Sequence, residues 1–167
     1  MKQPIEFNEL YNQFGKMVYN VSLNYLQNLE EAEEATQDIF VKIYRKIEGF
    51  QEQSSLKTWI YRITINHCLD VIKSKKIRMR VLFSRQNKED DSIEFNHPGV
   101  VLEQKEAVSE ILNKLNQLPP KQKGALLLKV IDGLSQKEIA EVLDLSEKAV
   151  ESLLSRARVN MKNQLNR

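Results

Sequence analysis

Apolar side chains recur every three or four residues along most of the chain, and the places where that recurrence breaks divide it into helices. Phe7, Leu10, Tyr11, Phe14, Val18, Val21 and Tyr25 form one such stripe within residues 6–27, which predicts an amphipathic helix. Asn28 follows with Glu31 three residues on, a capping-box pattern that opens a second helix. Its stripe runs Ala32, Ala35, Ile39, Ile43 and Ile47, widened by Phe40 and Tyr44, and Gly49 is its expected end. Glu30, Glu31, Glu33 and Glu34 crowd its first turns, where the helix dipole favours negative charge. After the polar stretch from Phe50 to Ser54, Ser54 or Ser55 can cap a third helix from about Leu56 to near Arg80. Leu56, Trp59, Ile60 and Ile63 are its expected apolar face.

Between Val81 and Pro98 the periodicity fades, which reads as a linker. Stretched, such a segment reaches roughly 60 Å, so the parts on either side need not touch. A helix carrying Val101, Leu102, Lys105, Val108, Ile111, Leu112 and Leu115 comes next, until Leu118-Pro119-Pro120 breaks it. Residues 121–131 form a short apolar helix through Ala125, Leu126, Leu127, Leu128 and Val130. After the Asp132-Gly133 turn, Ser135 and Glu138 make a full capping box before Ile139, Ala140 and Leu143. Asp144-Leu145-Ser146 is the next turn, and Ser146 caps a final helix through Leu165. Internal repeats and low-complexity tracts are absent from the sequence. The expected fold is all-α, with two small helical domains, 1–80 and 99–167, joined by a flexible linker over 81–98.

Composition narrows the function classes. The 29% charged and 41% hydrophobic residues are normal for a folded soluble chain, and five glycines with four prolines disfavour a many-turned β protein. No apolar run approaches the roughly 18–20 residues that span a bilayer. The opening MKQPIEFNEL lacks a basic stretch followed by an apolar one, so a secretory signal is not expected. Cys68 is the single cysteine and cannot form an internal disulfide; with only His67 and His97 beside it, a zinc cage is not expected either. Paired carboxylates, a nucleophile with its base and a Gly-rich phosphate loop are all missing. His67, Cys68 and Asp70 are close in sequence, but their spacing does not turn all three toward one point on a helix. A cytoplasmic protein without enzymatic activity, metal or cofactor is expected.

The net charge of +2 conceals segregation. Residues 1–50 sum to −3, 51–85 to +6, 86–95 to −3, 96–120 to −1 and 121–167 to +3, which closes at +2. Two basic regions around an acidic stretch fit polyanion contacts at two places, and ordinary solvated helix faces remain the plain alternative. In the first region the run KSKKIRMR holds Lys73, Lys75, Lys76, Arg78 and Arg80. Part of that run is explained by the preference of cations for a helix C-terminus. The interleaved Ile77, Met79 and Val81 also permit a helix lying on a membrane surface.

The segment from Ser135 to about Arg158 has the form of a helix-turn-helix. Ala140 is small where the second helix must approach, Leu143 and Leu145 flank the turn, and Val150, Leu153, Leu154, Ala157 and Met161 share one side of that helix. Its opposite side carries Lys148, Glu151, Ser152, Ser155 and Val159, with Arg156 on the flank. Short polar side chains let a helix lie deep in a major groove, where Arg156 and Arg158 can reach bases or phosphates. Asp144 occupies the turn position where glycine is common, and aspartate tolerates left-handed backbone better than most residues. A generic helical hairpin is the alternative.

Two long motifs carry a family resemblance. The run EEAEEATQDIFVKIYRKIEGFQEQSSLKTWIYRITINHCLDVIKSKK resembles region 2 of a bacterial sigma factor of the extracytoplasmic-function (ECF) group, within the sigma-70 family. The run LNQLPPKQKGALLLKVIDGLSQKEIAEVLDLSEKAVESLLSRARVNMKNQL resembles region 4 of the same group. With the first helix and the linker, the resemblance covers nearly the whole chain in the right order and spacing. It implies an alternative sigma factor that binds core RNA polymerase and directs promoter-specific transcription initiation.

The resemblance also implies residue roles. Gln37, Asp38, Phe40, Lys42 and Arg45 would dock on the coiled coil of the polymerase largest subunit, with core packing as the alternative for Phe40. Gln51, Gln53, Ser54, Lys57, Tyr61, Arg62 and Asn66 would receive an unstacked base of the −10 element, where a polar pocket offsets part of the unstacking energy. Trp59 is open between stacking on DNA and core packing, the latter favoured by its helical position. Lys73, Lys75, Lys76, Arg78 and Arg80 would follow duplex phosphates, adding salt-dependent affinity without reading sequence. Lys148, Glu151, Ser152, Ser155, Arg156 and Arg158 would meet the −35 element. The acidic linker suits a basic tunnel in the polymerase or is a solvated tether.

One departure from the family pattern bears on that last set. Where members often carry Gly-Thr-Val-basic-Ser-Arg, this chain reads Lys148-Ala149-Val150-Glu151-Ser152-Leu153. A carboxylate at Glu151 accepts a hydrogen bond from a cytosine amine but is repelled by phosphates, which leaves the −35 preference open. The family further implies an anti-sigma partner, usually membrane-anchored, that would hold the protein at the membrane without inserting it; no homo-oligomer is expected. Two rival readings are a self-sufficient dimeric helix-turn-helix regulator and a helical sequestering protein. The first 80 residues disfavour the regulator, because they resemble a polymerase-docking module rather than a ligand sensor.

Overall fold

The computed structural model of the chain describes residues 7–83 and 110–166. Every regular element among them is helical. The chain divides into two units, Met1–Ser92 and Ile93–Arg167. Of the sequence expectations, most of the linker and its acidic charges lie outside the described residues. So do Val101, Leu102, Lys105 and Val108 of the helix expected after it.

In the first unit, α1 (Phe7–Leu26), α2 (Leu29–Lys46) and α3 (Leu56–Phe83) each pack on the other two. Leu10, Phe14 and Val18 of α1 meet Ala35, Ile39, Phe40 and Ile43 of α2 and Ile60 of α3 in one buried cluster. Full burial of each large apolar side chain contributes about 1.5–3 kcal/mol, which helices of this length need, since isolated ones are marginal in water. Ala32 and Ala35 let a neighbouring helix come close to α2, and both are buried. The hydroxyls of Thr36 and Thr64 are buried as well, and each donates to the carbonyl four residues back, Ala32 at 2.6 Å and Ile60 at 2.9 Å.

Asn28 caps α2 by accepting from the Glu31 amide at 2.9 Å. The end of α2 tightens into a 3₁₀ turn over Ile47–Gly49. Ser55 opens α3, its hydroxyl accepting from the Thr58 amide at 3.0 Å. The third helix runs on to Phe83, past the end expected near Arg80, because no glycine or proline stops it. Residues 81–83 of the segment read as linker are therefore helical.

The second unit holds α4 (helical over residues 110–116), α5 (Pro120–Val130), α6 (Gln136–Leu143) and α7 (Glu147–Leu165). Pro120 takes the first turn of α5, where its missing amide hydrogen costs nothing. Leu118, Ala125, Leu128, Ile139, Val150, Leu154 and Ala157 are buried and bring α5, α6 and α7 together. Asn160 of α7 donates to Gln122 Oε1 of α5 at 2.8 Å. The turn before α6 needs positive φ, which Gly133 supplies at 67°.

Candidate nucleic-acid interface

The α6–α7 pair is held by local chemistry at both of its corners. Ser135 Oγ accepts from the Glu138 amide at 3.2 Å while the Glu138 carboxylate accepts from the Ser135 amide at 2.8 Å. Asp144 then takes the left-handed conformation, φ 54° and ψ 53°, and the Leu145 amide closes the helix end on Ala140 O at 2.9 Å. Ser146 caps α7 by accepting from the Ala149 amide at 3.2 Å. This is the expected helix-turn-helix, with Asp144 standing in for glycine.

Every residue expected to meet the −35 element lies on the exposed side of α7: Lys148, Glu151, Ser152, Ser155, Arg156 and Arg158. Val150, Leu154 and Ala157 face the core. Arg156 is folded back along its own helix, Nη2 donating to Ser152 Oγ at 3.0 Å and Nε to Ser152 O at 3.3 Å. That holds the guanidinium fork beside Ser152.

In the first unit, Lys73, Lys75, Lys76, Arg78 and Arg80 are exposed on the second half of α3. They are not equivalent: Lys73 lies 3.7 Å from Asp70, and Lys75 pairs with Glu31 of α2. Ahead of α3, Gln51 and Gln53 are exposed and bonded to each other at 3.1 Å, with Ser54 half-buried. Lys57 and Asn66 are exposed and Arg62 is half-buried. Tyr61 is only 5% exposed, with the Lys57 ammonium 5.9 Å from its ring centre, so its ring is not free to receive a base as the unit stands. Trp59 packs against the core and lies 5.1 Å from the Phe50 ring, the core-packing alternative weighed for it.

On α2, Gln37, Asp38 and Arg45 are exposed and Lys42 is half-buried. Phe40 is 2% exposed and belongs to the core, so the packing alternative describes its ring and it presents no docking surface as the unit stands. The exposed apolar groups on this helix are instead Val41 and Tyr44, and the Tyr44 ring stands edge-on to Phe7 at 5.7 Å. Tyr44 and Phe7 belong to the apolar stripes of α2 and α1 yet lie at the rim of the buried side, and Val41 lies outside the stripe. His67, set aside above as a zinc ligand or catalytic group, is 8% exposed and has Lys42 Nζ 2.6 Å from its Nδ1. Nothing in the spacing of residues 42 and 67 announces that pair. Among the described residues no cluster of histidine, cysteine and carboxylates is placed to hold a metal ion.

Comparison with known proteins gives matches along the chain. The family model for sigma-70 region 2 matches residues 10–77, and that for sigma-70 region 4 matches residues 109–161. The ECF RNA polymerase sigma factor SigE of Mycolicibacterium smegmatis is 28% identical over 163 residues, covering 95% of this chain and 61% of SigE. The ECF sigma factor SigW of Bacillus subtilis is 28% identical over 165 residues, covering 95% of this chain and 88% of SigW. Among solved structures, the sigma factor RpoE of Bartonella quintana in complex with the anti-sigma factor NepR aligns over 96% of both chains, with a TM-score of 0.69 and 21% identity. CnrH in complex with the cytosolic domain of CnrY aligns over 96% of this chain and 87% of CnrH, with a TM-score of 0.66 and 22% identity. These two structures share the all-α fold described above.

Proposed function

The chain belongs to the ECF group of the sigma-70 family, alternative sigma factors that direct promoter-specific transcription initiation, and on that premise we propose how its two units divide the work. Residues 1–80, within the first unit, dock on core RNA polymerase through the exposed side of α2 and open the −10 element over the 50–54 loop and the start of α3. Gln37, Asp38, Lys42 and Arg45 make the docking contacts, with Tyr44 and Val41 adding apolar area beside them. Gln51, Gln53, Ser54, Lys57, Arg62 and Asn66 receive the unstacked strand. Tyr61 joins them only after a local rearrangement, since its ring is covered.

Residues 99–167, within the second unit, lay α7 in the major groove at the −35 element. Lys148, Glu151, Ser152, Ser155, Arg156 and Arg158 form the reading surface. The part of 81–98 beyond the end of α3 at Phe83 joins the two readings. The cations from Lys73 to Arg80 follow phosphates, which adds affinity without reading bases. The protein performs no chemistry of its own; the polymerase does.

The observation that carries this reading is the exposed polar side of α7, with Arg156 held on Ser152 at the middle of the capped helix pair. An anti-sigma factor is the proposed regulatory partner, as RpoE of Bartonella quintana has in its solved complex with NepR. We place the protein in the bacterial cytoplasm as a monomer, recruited to the membrane only through such a partner. Among the described residues no helix is long and apolar enough to cross a membrane. Footprinting of the reconstituted holoenzyme tests the division of labour: Arg156→Ala removes protection at −35 with polymerase binding retained, and Asp38→Ala weakens polymerase binding. Equal losses for both variants in both assays contradict it.

A further inference from the structure

A cleft of about 440 Å³ in the first unit is lined from α2 by Glu34, Asp38 and Lys42 and from α3 by His67, Asp70 and Arg78, among others. His67 sits in its wall and is 8% exposed. Lys42 Nζ lies 2.6 Å from its Nδ1. An ammonium only donates, so Nδ1 accepts, the ring is neutral and its own proton is on Nε2. Nε2 faces Asp38 Oδ2 at 3.9 Å, too far for a hydrogen bond but close enough for the charges to be felt.

Burial, and then the Lys42 ammonium, lower the pKa of His67 from 6.5; Asp38, Asp70 and Glu34 pull the other way without prevailing. These are the charged groups that bear on the ring from α2 and α3, and none from the described residues of α1 joins them. Lys75, paired with Glu31, and Arg78 line the same cleft.

We propose that His67 is a positioning residue for polymerase docking: its neutral ring holds the Lys42 ammonium, faces Asp38, and so sets the charge pattern that α2 offers the partner. The inference rests on the assignment of docking to α2. Protonation of the ring removes the acceptor and sets a second positive charge against Lys42. The ammonium is then driven toward solvent and Asp38 is drawn to the imidazolium, which rearranges two of the docking groups at once.

The test is the affinity of the full chain for core polymerase at fixed ionic strength, from about pH 8 down past the midpoint at which the NMR signals of the His67 ring show it protonating, a midpoint below that of an unperturbed histidine. The chains compared are the unchanged protein, His67→Gln, His67→Leu and Asp38→Ala. A glutamine amide oxygen can accept from Lys42 but does not titrate. The affinity of the unchanged protein falls by up to about tenfold per pH unit below the pKa of the ring, as linkage requires. His67→Gln loses that step, and His67→Leu binds more weakly at every pH.

Identical profiles for the unchanged protein and His67→Gln overturn the inference. Asp38→Ala separates this from failure of the docking assignment: weakened binding keeps α2 as the docking helix whatever His67 does, and unchanged binding removes the assignment and the inference with it. Circular dichroism and melting check that each variant folds. If a His67 variant does not, Lys42→Met reaches the same pair from the other side and must shrink the pH step; an undiminished step then overturns the inference.

Discussion

Lys75 Nζ lies 2.5 Å from Glu31 Oε1, so one cation of the α3 run is tied to the first turn of α2. An exposed pair of this kind adds little stability, but it must be broken before Lys75 can serve DNA. Each phosphate contact contributes about 0.9 to the slope of log affinity against log salt. Lys76→Ala therefore lowers the slope of holoenzyme–promoter binding by about one, Lys75→Ala by less, and Glu31→Gln restores the full contribution of Lys75. Equal slopes for the two lysine variants would show that the pair is irrelevant on DNA.

Phe40 and Tyr44 are four residues apart on α2 and have opposite fates, 2% and 64% exposed. Phe40→Ala should destabilise the first unit by about 3–5 kcal/mol, the usual range for emptying an aromatic site in a core. Tyr44→Ala should leave the urea midpoint almost unchanged and weaken polymerase binding. A Tyr44 variant that unfolds early but binds normally when folded would contradict the docking role.

On the reading helix, Arg156→Ala is expected to lose about 1–3 kcal/mol of discrimination at one position of the −35 element. Ser152→Ala, which removes the 3.0 Å bond that orders the guanidinium together with the Ser152 hydroxyl's own place in the reading surface, should lose less at the position Arg156 reads. Selection of −35 sequences from a randomised pool by each holoenzyme distinguishes the two. Losses spread evenly over all positions would mean that Arg156 touches phosphate and not bases.

The turn between α6 and α7 makes a stability prediction independent of DNA. Asp144 holds φ 54°, where a β-branched side chain costs roughly 1–2 kcal/mol, aspartate less and glycine none. Asp144→Val should lower stability by about that amount, and Asp144→Gly should hold or raise it. Urea titrations of the three proteins give the answer; a destabilising glycine would assign Asp144 a contact that its backbone does not require.

Folding stability should also fall in mild acid. An unfolded histidine takes up its proton near pH 6.5, and folded His67 does so at lower pH because it is buried and faces Lys42. Between those values the unfolded chain binds more protons, so the contribution is fully present above pH 6.5 and is lost as pH falls through the folded value. Urea midpoints at about pH 7.5 and about pH 5.5 measure the loss, which His67→Gln should diminish. An equal loss in that variant assigns the acid sensitivity elsewhere.

The helices and their caps were legible in the sequence because each is fixed within a few residues. Asn28 with Glu31, Ser135 with Glu138, Ser146 with Ala149 and the left-handed Asp144 all depend on local hydrogen bonding and backbone sterics. The division of α7 into a buried side and an exposed side follows from the helical period alone. What the period leaves undetermined is the rim of a stripe. Phe7, Tyr11 and Tyr44 carry aromatic rings and read as core, yet they end 38%, 50% and 64% exposed because α1 and α2 meet along a narrower line. Phe40 takes the core-packing alternative, its ring met by Phe7 and Tyr11 of α1, whereas the burial of Tyr61 at 5% exposure is not announced by its polar neighbours in sequence. The Lys42–His67 bond joins residues 25 apart, and only the packing of α2 on α3 creates it.

The central claim, that this chain lends promoter specificity to RNA polymerase, is tested most directly by run-off transcription from a pool of genomic fragments with purified core enzyme, with and without the protein. The account predicts new discrete transcripts in its presence, whose start sites share −35 and −10 sequences at fixed spacing. No new transcripts with the cognate core enzyme, from a protein that by itself retards specific DNA, would contradict it and leave a free-standing regulator in its place.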